Sequence, residues 1–125
     1  MSNDHGSKWI RPAKRLAIYH RDGFACVYCG ATVEAGAVLS LDHVRPRELG
    51  GGHQASNLVT ACIPCNSARQ ELPMKRWLAT LADKGRDPVE LAARVRRQTR
   101  RVIDIATGKA LLEARRGTTT TNEEG

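Results

Sequence analysis

The chain is short of long apolar runs: over its 125 residues none approaches the roughly 18 that a membrane span needs. Residues 1–8 are polar and lack an apolar core, so a secretory signal is not expected. Disulfides thereby lose their usual oxidising setting, and a reducing, cytoplasmic one is expected. No internal repeat occurs, which sets aside stacked-repeat architectures. Cysteine is scarce, four residues in all, yet all four fall into two C-x-x-C pairs, Cys26/Cys29 and Cys62/Cys65.

A chain of this length is expected to be one domain whose apolar core alone leaves it marginally stable. A backbone turn of C-x-x-C spacing lets two thiolates converge on one tetrahedral zinc. Structural zinc contributes on the order of 10–16 kcal/mol to small zinc-finger folds. A structural Zn²⁺ on the four cysteines is therefore the leading expectation, with disulfide or redox use as its rivals.

The formal net charge of +7 and an isoelectric point near 9.8 point to a polyanionic partner. Residues 74–116 hold 12 Lys and Arg against 5 Asp and Glu, whereas residues 8–71 hold 8 against 5. The positive excess thus lies behind the cysteine region.

Along the chain, residues 1–7 and 117–125 are polar and read as disordered tails. Pro12 can open a helix running to about Arg21. Val38 to Val44 alternates like a strand that Pro46 ends, 49–53 is a glycine-rich loop, and Asn57 to Thr60 reads as a return strand. Cys62 and Cys65 then open a helix with Pro64 in its first turn. These elements make residues 8–73 a core of hairpin followed by helix, and residues 74–116 a basic helical extension. In the extension Met74, Trp77, Leu78 and Leu81 recur at helical spacing, with Gly85 at the cap position. Asp87-Pro88 begins a longer helix on which Leu91, Val95, Val102 and Ala106 share a face, and Gly108 ends or kinks it. Arg94, Arg96, Arg97, Arg100 and Arg101 occupy the opposite arc.

The chemistry is concentrated between the cysteine pairs. Asp42 stands beside His43, and Asn66 directly follows the last cysteine, so a hard-metal ligand set and a base lie at fixed distances from the sulfur cage. A neutral imidazole can take a proton from water near pH 7, and carboxylate and carboxamide oxygens suit Mg²⁺.

The ordered set Arg21-Asp22-Gly23-Phe24-Ala25-Cys26-Val27-Tyr28-Cys29-Gly30, Leu41-Asp42-His43-Val44-Arg45-Pro46, Gly51-Gly52, Asn57-Leu58-Val59 and Cys62-Ile63-Pro64-Cys65-Asn66-Ser67-Ala68-Arg69 resembles the HNH endonucleases. These are His-Me (ββα-metal) finger nucleases, here in the form with a C-x-x-C zinc cage. The resemblance implies an α+β fold: a small, treble-clef-like, zinc-stapled nuclease core flanked by an N-terminal helix and C-terminal helices. It implies His43 as general base, Asp42 and Asn66 as ligands of one catalytic divalent cation, and Asn57 as a brace for the hairpin loop. It also implies metal-dependent hydrolysis of DNA phosphodiesters, leaving 5′-phosphate and 3′-hydroxyl ends. Asparagine rather than histidine at position 66 favours Mg²⁺ or Mn²⁺ over softer ions. Arg69 stands where relatives often hold lysine, which places it against the phosphate of the cut strand.

Blander readings stand beside these. A charge run is usually a solvated helix face, but one with little acid in it also suits a phosphate backbone, so the five arginines are assigned to DNA. His53 reads as a solvated loop residue and Trp77 as core. Two other functions compete: a non-catalytic zinc module that binds nucleic acid, and an accessory nuclease active only with a protein partner in a phage packaging or restriction assembly.

Overall fold

In a computed structural model of the protein, the backbone is described for residues 10–124 and the side chains for residues 10–116. The elements are α1 (Pro12–Arg21), β1 (Leu39–His43), β2 (Leu58–Cys62), α2 (Ile63–Arg69), α3 (Met74–Ala82), α4 (Pro88–Arg100) and α5 (Ile105–Glu124). The architecture is α+β: a two-stranded antiparallel sheet, with α2 following directly on the second strand, and helices on either side of it in sequence.

Pro12 sits in the first turn of α1, where its missing N–H costs nothing. The register pairs Leu39 with Cys62 and His43 with Leu58, so Asp42 lies opposite Val59. The return strand starts one residue later than the pattern suggests, because Asn57 closes a short 3-10 turn, Ala55–Asn57. Every residue of β2 is buried, as expected of a strand covered on both faces. Val59 and Ala61 join Val27, Tyr28, Trp77, Leu78, Leu81, Leu91 and Val95 in one apolar cluster. Leu58 joins Ile10, Leu16, Ile18, Tyr19 and Leu41 in another, with Leu111 and Leu112 of α5 packed against it. The helical extension therefore shares the core of the cysteine region.

A buried ion pair ties α1 to the sheet. Arg21 Nε donates to Asp22 Oδ1 at 2.7 Å, and its Nη2 donates to Leu58 O at 2.7 Å. Asp22 Oδ2 in turn accepts from the Thr60 amide at 2.9 Å. Removing both charges from water is tolerable here because their remaining hydrogen-bonding capacity is used.

The C-terminal half departs from the sequence reading. The expected long helix stops at Arg100, and residues 101–104 are irregular before α5 begins. Asp104 explains the restart: its carboxylate accepts from the Thr107 amide at 3.2 Å and from the Thr107 hydroxyl at 2.9 Å, a helix N-cap. Val102 consequently leaves the apolar face and is 93% exposed. Gly108 neither ends nor kinks a helix. It lies within α5 against α1, where an added Cβ would come within 2.1 Å of Ala13 O. The helix as bounded runs on over 117–124, which the sequence reads as tail, while residues 1–7 and Gly125 lie outside the described residues. Among the described residues, no helix is long and apolar enough to cross a membrane.

Candidate functional site

Two knuckles bring the cysteines together. One lies in the turns after α1, bounded by an isolated bridge between Ala25 and Thr32; the other spans the end of β2 and the first turn of α2. The four Sγ atoms all lie within 4.8 Å of one another. Cys29 and Cys62 sulfurs are 3.7 Å apart, close to the roughly 3.8 Å separating two ligands of a tetrahedral zinc with Zn–S near 2.3 Å. Backbone amides of Tyr28 and Cys29 point at Cys26 Sγ, and that of Ala31 at Cys29 Sγ, each at 3.4 Å. Such donors favour thiolate. The hydrogen bond with Cys65, opposed by burial and helped by backbone amides, lowers the Cys26 thiol to about 4. The same contact raises Cys65, and burial raises Cys62. One sulfur takes charge at its neighbours' expense, and a divalent cation among them lets all four ionise. The set can hold a structural zinc.

Asp42 and His43 end β1, and α2 is docked onto that strand by Asn66. The Asn66 Nδ2 donates to Ser40 Oγ at 2.8 Å and to Leu41 O at 3.0 Å, the carbonyl immediately before Asp42. These bonds fix the amide plane and turn Oδ1 the other way. Asp42 is buried, and its Oδ2 accepts from the Tyr28 hydroxyl at 2.5 Å and from Arg69 Nη1 at 2.7 Å. Burial pushes its carboxyl up, against the pull of the Arg69 guanidinium and the Tyr28 hydroxyl. Burial likewise drives the Tyr28 hydroxyl well above its ordinary range, so it stays a donor. Both neighbours of Asp42 use Oδ2, and Oδ1 is the oxygen suited to a cation. Together with Asn66 Oδ1 it is a hard oxygen donor of the kind that could hold Mg²⁺ or Mn²⁺.

Asn57 joins the two ends of the loop between the strands. Its Oδ1 accepts from the Arg45 amide at 2.9 Å, and its Nδ2 donates to Arg45 O at 3.1 Å and Gly52 O at 2.9 Å. His43 is half-buried, and its Nε2 lies 3.0 Å from Nδ1 of His53.

Four residues are placed otherwise than the sequence suggests. Arg69 does not face a phosphate: it is wholly buried and donates to Asp42, His43 O, Val44 O and Leu72 O, because α2 packs that side of its last turn onto β1. Arg94 reaches back to Val27 O at 3.1 Å and Arg101 to Arg21 O at 2.9 Å, so both brace the core. Arg96, Arg97 and Arg100 remain on the exposed surface of α4, with Arg97 3.8 Å from Glu90. His53 lies in the loop, as expected, but is half-buried against His43 rather than fully solvated. Neither it nor Tyr28 carries a local signal, since each acts on a partner that only the folded chain brings near.

Residues 26–73 match the profile of the HNH endonuclease family. The chain is similar to the CRISPR-associated endonuclease Cas9 of Actinomyces naeslundii, with 34% identity over 64 residues, half of this chain and 6% of that protein. It also aligns with the crystal structure of the Type II-C Cas9 enzyme from Actinomyces naeslundii at 26% identity and a TM-score of 0.48, covering 74% of this chain and 13% of that one. The chain spans a small fraction of the relative it matches.

Proposed function

We propose that the protein is a metal-dependent DNA endonuclease that nicks or cleaves by phosphodiester hydrolysis. One observation carries the reading: Asn66, on α2, donates to the carbonyl of Leu41, immediately before Asp42-His43, so the three candidate residues lie near the same end of the hairpin. His43 takes the proton from the attacking water. Asp42 and Asn66 would hold one Mg²⁺ or Mn²⁺, which supplies charge compensation for the phosphate and the departing oxygen. Arg69 and Tyr28 keep Asp42 in place, and Asn57 holds the loop beside the base. Arg96, Arg97 and Arg100 are assigned to the duplex backbone, with the zinc cage as the rigid support.

The test is nicking of supercoiled plasmid by the zinc-loaded chain. Cutting is expected with Mg²⁺ or Mn²⁺ and not without either, and Asn66→Ala should lose it while retaining zinc. Full activity in Asn66→Ala would remove this residue from the site.

A further inference from the structure

His53 is held against the proposed base by a built loop. Lys14 of α1 donates through Nζ to His53 O at 2.6 Å, and Asn57 fixes the neighbouring Gly52 carbonyl. Gly51 leaves no room for slack: a Cβ there would fall 1.7 Å from Arg45 O. The His43 and His53 rings meet edge to face, with centroids 5.2 Å apart and planes at 64°.

A neutral imidazole carries one donor and one acceptor nitrogen. The 3.0 Å contact between His43 Nε2 and His53 Nδ1 therefore has two possible polarities. If His53 donates, the lone pair of His43 Nε2 is consumed and its Nδ1 carries the hydrogen, so the ring has no lone pair left to take a proton. If His43 donates from Nε2–H, the lone pair is on Nδ1 and the ring can act as a base. Only the second polarity is compatible with the reaction.

We propose that His53 is a positioning residue for His43: its Nδ1 accepts the His43 Nε2–H bond, which selects the tautomer with a basic Nδ1 and fixes the ring plane. This rests on the reading of His43 as general base. In the step it supports, His43 Nδ1 gains the proton that water loses, and Nε2–H stays bonded to His53, which shares the new positive charge. It is the task that a buried carboxylate performs in hydrolase triads, done here by a second neutral ring.

The test combines nitrogen NMR of the histidines with plasmid nicking, each on zinc-loaded protein. In the wild type, His43 is expected as the Nε2–H tautomer; the Nδ1–H tautomer would overturn the proposal without any variant. His53→Ala should mix the His43 tautomers and lower kcat by about 10- to 100-fold, part of the 10²–10⁴ that a general base contributes, with KM kept. His53→Asn, whose amide oxygen can stand where Nδ1 stood, should restore the tautomer and most of kcat. If His43→Ala abolishes nicking but His53→Ala changes neither tautomer nor kcat, the proposal fails and the nuclease reading stands. If His43→Ala nicks like the wild type, both fall.

Discussion

Arg69 sits at the centre of the site without touching solvent. One guanidinium joins the end of α2 to the last residues of β1, through Asp42 Oδ2 at 2.7 Å, His43 O at 2.8 Å and Val44 O at 2.7 Å. Arg69→Ala would strand the buried Asp42 charge, a change that costs about 3–5 kcal/mol in comparable pairs. Lysine cannot reproduce the planar fork and should recover only part of that. Urea denaturation reads the loss; unchanged stability with weakened DNA binding would return Arg69 to the phosphate. The residues legible in sequence are those whose spacing is itself chemical: the four cysteines, Asp42-His43, and Asn66 after the last cysteine. Arg69 is misread from sequence because its direction depends on how a seven-residue helix lands on a strand, which no local pattern records. His53 and Tyr28 escape a sequence reading for the same reason, their partners lying 10 and 14 positions away.

Among the elements, the hairpin and α2 can be read from alternation and from Pro64, whereas the break between α4 and α5 cannot. The sequence pattern continues a helical face through Val102, but Asp104 offers its carboxylate to a new helix start, and Ile103 packs beside the α1 core. The Thr107 hydroxyl and amide hold the Asp104 carboxyl below its ordinary 3.8. A depressed carboxyl contributes stability above the unfolded value and loses it as pH falls through the folded one. The start of α5 should therefore be insensitive to pH down to about 4 and fray below 3.8, with Asp104→Asn flattening that response in circular dichroism. Gly108 supplies an opposite test. Alanine gains about 1 kcal/mol of helix propensity, but its Cβ would press on Ala13 O at 2.1 Å. Overpacking of this kind costs about 1–3 kcal/mol, so Gly108→Ala should lower the melting temperature; a rise would mean that α1 and α5 separate easily.

Across the whole molecule, the charge excess and the site belong to one arrangement. The cysteine cluster joins the sheet, α2 and the first knuckle, while Arg94 and Arg86 donate to the Val27 and Tyr28 carbonyls of that knuckle. Arg96, Arg97 and Arg100 are exposed and are the arginines of α4 proposed to meet the duplex backbone. Replacing these three by alanine should flatten the log–log salt dependence of duplex binding by about 0.9 for each phosphate no longer neutralised, with zinc content and unfolding unchanged. Replacing Arg94 and Arg101 instead should act on stability first, because their carbonyl partners are in the core. The net positive charge legible in composition points to a polyanion as a class of partner; composition does not record which arginines the core engages.

The role of His43 as the base of a metal-dependent nuclease is tested by nicking of supercoiled plasmid by the zinc-loaded wild type and by His43→Ala. Each is assayed with Mg²⁺ or Mn²⁺, and again with EDTA in incubations short enough to leave the cage loaded. Cutting is expected from the wild type only with added metal, at a rate at least about 100-fold above that of His43→Ala. Equal cutting by the two proteins, or cutting that survives EDTA, would contradict it.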